Sequence, residues 1–545
     1  MKKLSLVILL ALAMIWFVGC APDEEVVEDP NDVVDDPVDV PVDDPSEDIT
    51  AIWSNIAETA SLDPHVVFSS DGLMFARNVY EGLYEYEPGG FDERPLLATG
   101  HAINEDATVY TFELRDDVEF HDGTPFNAEA VKISIERILE VGMGPASLAV
   151  GIEEINVLGD YEVEIVLKSP DVFFLSRLPK LPIVSPTAIE ENKTDEDPLA
   201  EEWFRENASG TGPYKFDEWY RNERIELVKN ENYWQEWEEG TPTKGVMRVD
   251  PDVSTALQLL AEGSVNMIGA VGPDDANMAE TLPNVKVVEQ PSHELKTIHL
   301  NTRKAPLDDV NVRRAIMHAI DYESYRQFFG GYARPSIGPM ATTMEGASQD
   351  LEPYVQDMDK AREYLAEAGY EDGFELQFMA LRDQTFQVFA ADLLESNLGE
   401  LGIQVKAELL PWPQMPELMS RVEEGPHISF LNMTPQTGDP STHLENFLRS
   451  DFDATVGGYN WSFYNNPRVD EWIAEVPTIV DEDERNEVLN NIQQAIRDDV
   501  PVITLCEISL FQPVREEWDV RYEPMDNIQV VRFFYTRKGV ESPHY

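Results

Sequence analysis

Phe374-Glu375-Leu376-Gln377-Phe378-Met379-Ala380-Leu381 is followed by an amphipathic stretch at residues 384–401 and by a second mixed apolar stretch at residues 403–410. The first and third segments have the pattern of β-strands, and the segment between them has the spacing of an α-helix. Gly402 is suited to end that helix. A strand–helix–strand unit favours parallel strands joined by a right-handed crossover. This stretch therefore predicts an α/β sheet.

Helices and strands continue to alternate on both sides of this unit. Upstream, residues 251–262 have a helical pattern and residues 265–268 a strand pattern; downstream, a helix is predicted at 414–424 and a strand at 427–431. This alternation in a long chain indicates α/β lobes. In such sheets ligands bind at the carboxyl ends of strands, so the loop after Leu431 is a candidate site.

The N-terminal half carries shorter strand patterns. They lie at residues 109–114, 162–167 and 224–228. A helix is predicted at 127–139, with Asn127 as its N-cap. Its apolar face is formed by Ala128, Val131, Ile135 and Ile138.

Length and charge limit the classes of function. The 545 residues exceed what one core supports, which indicates two or more lobes. With 104 acidic and 40 basic residues the formal charge is −64, which excludes nucleic acid as a partner. Such a charge is typical of a saline or alkaline habitat and says nothing about the ligand.

The first twenty residues have the pattern of a lipoprotein signal peptide. Lys2 and Lys3 precede an apolar run at residues 4–18, which is shorter than a comfortable membrane span. The run ends Phe17-Val18-Gly19-Cys20, which resembles a bacterial lipobox. The pattern predicts a signal peptide at residues 1–20, with lipid attached to Cys20. An ordinary signal peptide with a chance cysteine is the alternative.

A strongly acidic segment follows the signal. Residues 23–48 contain thirteen acidic side chains, no basic one and several prolines. Such a segment repels itself and cannot bury enough apolar surface to fold. Residues 21–50 are therefore expected to be an acidic disordered tether. The protein would be exported and held on the outer face of the cytoplasmic membrane.

No pattern in the chain indicates catalysis. The nucleophile-elbow, zinc-protease, Walker A and dinucleotide-binding motifs are absent from the sequence. His293 and His299 would share one face of a strand, but no third ligand joins them at metal-site spacing. Cys506 lies in an apolar run and is expected to be a buried strand residue. We therefore predict no enzyme activity, catalytic residue, metal site or cofactor.

Seven segments in order along the chain carry a family resemblance. One contains Phe120-His121-Asp122-Gly123-Thr124-Pro125-Phe126. The segments lie at residues 61–65, 74–83, 110–126, 210–214, 230–234, 301–321 and 464–470. Together they resemble family 5 of the bacterial extracellular solute-binding proteins, which includes oligopeptide-, dipeptide- and nickel-binding receptors of ATP-binding cassette (ABC) importers.

The resemblance implies a periplasmic-binding-protein-like fold of type II. Two α/β lobes would be joined by a hinge, with an extra subdomain on the first lobe. The expected division is lobe I at residues 51–266, its inserted subdomain at about 76–200, lobe II at 267–510, and a return to lobe I at 511–545. Ligand would be trapped as the lobes close.

The resemblance also implies partners. A monomer would bind a small molecule or peptide and deliver it to the transmembrane permease and ATPase subunits of an ABC importer. Within the class, an oligosaccharide or a nickel chelate is the alternative ligand. A sensory or chaperone-like receptor without a permease and a surface hydrolase are the alternatives outside it.

Candidate ligand-binding residues come from matching the family's binding loop. In peptide-binding relatives an aspartate pairs with the peptide's amino terminus, and Gln436 takes its place here. A glutamine brings no charge for an ammonium group. Lys180 lies near the region of an arginine found in nickel-binding relatives. The full candidate set is Phe68, Asp71, Met74, Gln436, Thr437, Asp439, Tyr459 and Trp461.

Overall fold

The unit that predicts the sheet forms as expected in a computed structural model. The model describes residues 48–67, 69–269, 271–525 and 528–540, so Cys20, Phe68 and the signal and tether lie outside the described residues. Glu375–Leu381 and Gln404–Leu410 are adjacent parallel strands, and the helix Thr385–Gly399 connects them. The helix packs its buried Phe386, Leu394 and other apolar residues on the sheet.

The described residues contain twenty-one strands. They are β1 (Thr50–Asn55), β2 (Tyr84–Tyr86), β3 (Glu93–Pro95), β4 (Ala98–Ile103), β5 (Val109–Leu114), β6 (Ile152–Gly159), β7 (Glu162–Leu167), β8 (Tyr214–Tyr220), β9 (Arg224–Lys229), β10 (Lys244–Val249), β11 (Met267–Ile268), β12 (Val285–Leu300), β13 (Ala333–Arg334), β14 (Glu375–Leu381), β15 (Gln404–Leu410), β16 (Ile428–Met433), β17 (Val502–Arg515), β18 (Trp518–Asp519), β19 (Tyr522–Met525), β20 (Ile528–Val531) and β21 (Arg537–Lys538).

The same residues contain fifteen α-helices. They are α1 (Ser70–Val79), α2 (Ala128–Val141), α3 (Ala146–Ala149), α4 (Pro186–Asn192), α5 (Glu201–Phe204), α6 (Val253–Glu262), α7 (Pro273–Ala279), α8 (Val310–Ala319), α9 (Tyr322–Gln327), α10 (Met358–Ala368), α11 (Thr385–Gly399), α12 (Met415–Met419), α13 (Pro440–Leu448), α14 (Pro467–Glu475) and α15 (Glu482–Asp499). Short 3₁₀ helices include Phe174–Lys180 and Trp412–Gln414.

One hydrogen-bonded sheet runs through both lobes. Its strand order is β15-β14-β16-β12-β17-β11-β1-β10-β9-β8, with β13 also paired to β17. The β15-β14-β16 end belongs to the second lobe and the β11-β1-β10-β9-β8 end to the first lobe. Each end carries its own apolar core, one around Phe378 and Phe430 and the other around Trp53 and Trp518. The fold is therefore the two-lobed α/β architecture of type II periplasmic binding proteins.

The long strands β12 and β17 form the hinge. They pair antiparallel over most of their length, and the register shifts between Pro291 and Leu295. Val285 to Pro291 pairs beside the first-lobe strands, while Leu295 to Leu300 also pairs with β16 of the second lobe. The interruption lies where the two halves of this sheet can change their relative angle.

The extra subdomain is a separate four-stranded sheet. Its strands run in the order β4-β5-β7-β6, and α2 covers one face. Asn127 caps α2 as predicted, accepting the Ala130 N–H at 3.0 Å. The expected apolar face of the helix is buried in the subdomain core.

The predicted domain limits stay predictions. Strand pairing favours a different position for one of them, the boundary between the two lobes. The expected boundary between the lobes falls at residue 267. Met267–Ile268 forms β11, which pairs with β1 in the first lobe. Strand pairing thus favours a boundary inside β12, near its register shift.

The helix expected at residues 414–424 is much shorter in the structure. Trp412–Gln414 is a 3₁₀ turn, and α12 ends at Met419. The carbonyl of Val422 accepts the Asn301 side-chain N–H at 2.9 Å instead of continuing a helix. A contact distant in sequence therefore overrides the local pattern. Among the described residues no helix is long and apolar enough to cross a membrane.

Candidate functional site

The loop after β16 connects the sheet to α13 and is held by its own side chains. We call residues 434–439 the cleft loop. Asp439 is the N-cap of α13, and its Oδ1 accepts the N–H groups of Ser441 at 2.8 Å and Thr442 at 3.2 Å. Pro440 at the first helical position has no N–H to satisfy. The end of the loop is thereby fixed at the helix.

A 3₁₀ helix of the first lobe faces the cleft loop. We call Phe174–Lys180 the facing helix. Lys180 Nζ donates to the main-chain oxygen of Gln436. Arg177 Nη2 lies 3.2 Å from Asp439 Oδ2 and 2.7 Å from Asp171 Oδ2. The two lobes therefore meet through charged contacts at the cleft loop.

Apolar contacts strengthen the same meeting point. Phe173, which precedes the facing helix, is 6% exposed and packs in a second-lobe cluster with Met344 and Val476. The Val172 N–H donates to the Pro477 carbonyl at 2.9 Å. Burying an aromatic ring from one lobe in the core of the other stabilises the closed arrangement.

Burial changes the protonation behaviour of these charges. The pKa of Asp171 is raised to about 6 by burial, although Arg177 opposes the rise. The pKa of Arg177 is raised because Asp439 and Asp171 outweigh its own burial. The guanidinium therefore keeps its charge, and it compensates two carboxylates that would otherwise repel each other.

A polar cavity lies beside this contact. It has a volume of about 240 Å³ and is lined by residues of both lobes, including Asp171, Arg177, Ser441, Glu445 and Arg449. Ligand pockets for drug-sized molecules are roughly 300–1,000 Å³. This cavity is therefore somewhat smaller than a pocket for a drug-sized molecule, and it has room for several waters or a small polar molecule.

A hairpin of the first lobe closes the cleft from another side. Between β2 and β3, Phe91 stacks on His293 of the hinge with ring centroids 3.7 Å apart. Glu93 is the first residue of β3, and its side chain lies close to the cleft loop. A Cβ added at Gly438 would be 4.0 Å from Glu93 Oε1. Burial raises the pKa of Glu93 to about 7, with Asp92 and other nearby carboxylates adding to the effect.

The structure brings three of the sequence candidates together in the cleft loop. The Gln436 side chain is exposed, while Thr437 is buried and its Oγ1 accepts the Asp439 N–H at 3.3 Å. Asp439 is 1% exposed and serves as a cap and an ion-pair partner. Of the three, Gln436 is the side chain that is open to a ligand in this conformation.

The aromatic candidates lie further along the second lobe. Tyr459 is 44% exposed, and its ring lies 6.0 Å from that of Phe447. Trp461 is 2% exposed and stacks on Trp412 at 5.9 Å, within the second-lobe core. Their role in ligand binding stays a prediction.

The first-lobe candidates lie on α1, among first-lobe residues. Met74 is fully buried, and its sulfur accepts the Val531 N–H at 3.3 Å. Asp71 lines a small crevice with Trp53 and Arg224. Neither has a contact with the cleft loop among the described residues. Phe68 of the same group lies outside the described residues.

Sequence reasoning missed Arg177, Phe173, Phe91 and Glu93 as cleft residues. Arg177 and Asp439 are 262 positions apart, and neither stands in a pattern that points to the other. A contact of this kind is decided by how the lobes meet, which has no local signal. On the first-lobe side of this contact, the sequence hint is Lys180, which was matched loosely to the region of an arginine in nickel-binding relatives.

Comparison with known proteins assigns the fold to a family. Residues 93–454 match the family profile described as bacterial extracellular solute-binding proteins, family 5. The probable D,D-dipeptide-binding periplasmic protein DdpA of Escherichia coli is 28% identical over 459 residues, covering 83% of this chain and 87% of that protein. The glutathione-binding protein GsiB of Shigella flexneri is 26% identical over 472 residues, covering 84% and 88%.

A solved structure agrees with this assignment. The periplasmic binding protein DppA of Helicobacter pylori, in complex with the peptide STSA, superposes with a TM-score of 0.73 at 25% identity. The match covers 90% of this chain and 99% of that chain. The hinge, the two lobes and the subdomain are thus features of a solute receptor rather than of an enzyme. The chain belongs to family 5 of the bacterial extracellular solute-binding proteins.

Proposed function

We propose that this chain is the substrate-binding lipoprotein of an ABC-type importer and that it captures a peptide-like solute between its two lobes. The observation that carries the proposal is the meeting of the cleft loop with the facing helix, through Arg177, Asp439, Lys180 and Gln436. These contacts join residues of different lobes, so they form only when the lobes close. A ligand held there stabilises the closed state by binding it more tightly than the open one.

The peptide-like class is supported by the names of the relatives. DdpA and GsiB are named for a D,D-dipeptide and for glutathione, and DppA was solved with a peptide. Gln436 replaces the aspartate that the family resemblance leads one to expect at that place in the loop. An exposed glutamine offers hydrogen bonds to amides, which suits a peptide backbone better than a bare ammonium group.

The proposed location rests on the N-terminal sequence. A signal peptide ending at Cys20 would supply the lipid anchor, and the acidic tether would hold the folded lobes away from the membrane. The proposed partners are the permease and ATPase subunits of the importer. We propose that the receptor acts as a monomer, because each chain has both lobes of a complete cleft.

A thermal-shift screen of the full chain in mild detergent tests the ligand class. The probes are a mixture of di- to pentapeptides, a mixture of oligosaccharides, and nickel–histidine. A ligand that binds only the folded state raises the melting temperature by mass action. We expect the peptides to raise it and the other two probes to leave it unchanged. A rise with oligosaccharides or nickel–histidine alone would overturn the peptide assignment.

The cleft loop is tested separately by Gln436→Ala. The side chain is exposed and has no hydrogen bond to other described residues, so the melting temperature without ligand should stay unchanged. The shift produced by peptides should shrink because one hydrogen-bonding group is lost. Gln404→Ala on the edge strand β15, where the side chain is also exposed, is the matched control and should keep the full shift. Equal shifts in both variants would exclude Gln436 from the site.

A further inference from the structure

Carboxylates of both lobes lie on the two sides of the lobe contact. We call Glu93, Asp171, Glu345, Asp439 and Glu445 the contact carboxylates. Glu93 and Asp171 belong to the first lobe, at the start of β3 and just before the facing helix. The other three belong to the second lobe, where Asp439 caps α13 and Glu445 lies within it. Closing the lobes therefore brings groups of like charge together.

At one end of the contact, two carboxylates share a single cation. Arg177 Nη2 lies 2.7 Å from Asp171 Oδ2 of its own lobe and 3.2 Å from Asp439 Oδ2 of the other lobe. The cavity of about 240 Å³ beside them is lined by Asp171 and Glu445 from opposite lobes. One positive charge thus serves two carboxylates, and a third carboxylate faces the same cavity.

At the other end, Glu93 enters the contact without a cation of its own. Its side chain is half-buried beside the cleft loop. Among the described residues Glu93 forms no ion pair, and its neighbour Arg94 binds Glu85 at 2.7 Å instead. Glu345, which acts on Glu93 from the second lobe, is paired with Arg485 at 2.7 Å. Glu93 is thus a negative charge that faces other carboxylates.

The remaining ionisable groups around this hairpin do not neutralise Glu93. Asp92 adds a further negative charge. His293, which stacks on Phe91, stays neutral because burial lowers its pKa to about 3. Tyr86 lies opposite Glu93 in the pairing of β2 with β3, and its hydroxyl donates to a main-chain carbonyl of the facing helix at 2.6 Å.

Other charged and titratable groups near Asp171 bind elsewhere. The Tyr110 hydroxyl donates to the main-chain oxygen of Asp171 at 2.6 Å, and not to its carboxylate. Arg449 pairs with a contact carboxylate of its own helix and also with Asp451, 2.7 Å away. Lys180 Nζ donates to a main-chain oxygen of the cleft loop. The charge of Asp171 is therefore compensated mainly by Arg177.

Burial and like charge both favour the protonated form of a carboxyl group. Burial raises the pKa of Glu93 from 4.5 to about 7, and carboxylates of both lobes add to the rise. Burial also raises the pKa of Asp171 from 3.8 to about 6, although Arg177 opposes the rise. Separation of the lobes withdraws the second-lobe carboxylates and returns water, so both pKa values should fall. The closed receptor therefore holds protons that the open receptor lacks.

We propose that closing the lobes on a solute takes up protons from the surrounding water, with Glu93 as the main proton acceptor and Asp171 as a second one. This inference rests on the proposed function and deepens it, because it makes capture of the solute depend on pH. Capture is then tighter on the acid side of neutrality, and release is easier on the alkaline side. The protons bind to the lobe contact, so the effect does not depend on the class of solute.

Calorimetry counts the protons that are taken up. The full chain in mild detergent is titrated at pH 6.5 with di- to pentapeptides that lack acidic residues, histidine and cysteine. The titration is repeated in phosphate, PIPES and imidazole buffers, which release protons with different enthalpies. The observed binding enthalpy should rise with the ionisation enthalpy of the buffer, with a slope of about 0.5–1 proton per bound peptide.

The affinity for the peptides should rise as the pH falls. A carboxyl group whose pKa moves from its ordinary value to about 7 on closure makes binding about 5–20-fold tighter at pH 6 than at pH 8. The peptide amino group titrates in the same range. Its contribution cancels when the wild type and the variants are compared with the same peptides.

Variants assign the protons to residues. Glu93→Gln keeps the size of the side chain and stays neutral, so it should reduce the proton count by about half or more. It should also bind peptides more tightly than the wild type at pH 8, because closure no longer buries an ionised carboxyl group. Asp171→Asn should reduce the count by a smaller amount.

The matched control is Glu262→Gln. Glu262 is an exposed glutamate at the end of α6 in the first lobe, and this variant should keep the wild-type proton count. Melting temperatures without peptide show that each variant is folded.

The outcomes separate this inference from the proposed function. Peptide binding with the same enthalpy in all three buffers would overturn proton uptake and leave the peptide receptor standing. A proton count that Glu93→Gln leaves unchanged would overturn the role of Glu93. If oligosaccharides or nickel–histidine bind and peptides do not, the peptide assignment fails, and the count is made with that ligand. A count that is lower in Glu93→Gln then supports proton-linked closure, and an equal count overturns it.

Discussion

Arg177 of the first lobe lies between two carboxylates, 2.7 Å from Asp171 and 3.2 Å from Asp439, and Asp439 belongs to the second lobe. The same carboxylate of Asp439 caps α13 at the end of the cleft loop. One guanidinium thus links the subdomain side of the cleft to the loop in which we expect ligand contacts.

Arg177→Gln should weaken closure without unfolding either lobe. The variant loses the charge that compensates Asp171 and Asp439, and open lobes relieve the resulting repulsion. Peptide binding should weaken by about 1–3 kcal/mol, the usual range of coupling between two sites. Calorimetry with the peptide mixture measures this loss. Arg421→Gln serves as the control, because Arg421 is an exposed second-lobe arginine paired with Glu417. Unchanged affinity would show that the link contributes nothing to the closed state.

Removing one partner of a buried ion pair should strongly destabilise the first lobe. Asp63 and Arg137 are 0% and 1% exposed and form a two-pronged pair at 2.9 and 2.7 Å. Arg137→Met leaves Asp63 buried without its counter-ion, which should lower the unfolding free energy by about 3–5 kcal/mol. Urea unfolding measures the change.

The control for this pair is an exposed one. Arg421→Gln removes an ion pair whose side chains are 47% and 73% exposed, and it should change stability by less than about 1 kcal/mol. If Arg137→Met and Arg421→Gln lowered the unfolding free energy by similar amounts, burial of the Asp63–Arg137 pair would not explain the destabilisation.

The motif glycine Gly210 should not tolerate a side chain. A Cβ there would lie 2.2 Å from the main-chain oxygen of Val79, which cannot move without shifting the end of α1. Gly210→Ala should lower the unfolding free energy by about 1–3 kcal/mol. Gly100→Ala is the control, because nothing lies within 4 Å of its added Cβ. Equal stability of the two variants would contradict close packing at the motif.

Stability should fall in mild acid because buried histidines must take up protons. Burial lowers the pKa of His299 to about 3, while the unfolded chain protonates it near its ordinary value of 6.5. The unfolded state therefore binds the proton first, and the contribution of His299 is lost as pH falls below about 6.5. His299→Gln should reduce the loss of unfolding free energy between pH 6 and pH 5 by about 1.2 kcal/mol.

Urea unfolding of wild type and variant at the two pH values measures that difference. The carboxyls of Glu81 and Glu93 act in the other direction, since burial raises their pKa values to about 7. They are present in both proteins, so they cancel in the comparison. An unchanged pH dependence in His299→Gln would contradict the burial of a neutral ring.

Local patterns in the sequence predicted several of the elements correctly, although the helix expected at residues 414–424 is much shorter in the structure. The alternation at residues 374–381 and the cap at Asn127 are short-range signals, and each forms as predicted. The resemblance then supplied the two-lobed arrangement, which local signals do not encode.

The site was less accessible to sequence reasoning because its contacts cross the lobes. Gln436 was found through the family loop, whereas Arg177 was not expected to contact it. The contact between Arg177 and Asp439 joins residues 262 positions apart, so it becomes visible only when the three-dimensional structure is known.

Hydrogen–deuterium exchange of the full chain, with and without the peptide mixture, tests capture between two lobes most directly. Local opening exposes amides to exchange, so a ligand that holds the lobes closed slows exchange at their contact. We expect protection at residues 172–180 of the first lobe and at residues 434–445 of the second lobe together. Peptide binding that protects one segment without the other, or neither, would contradict capture by closure of the two lobes.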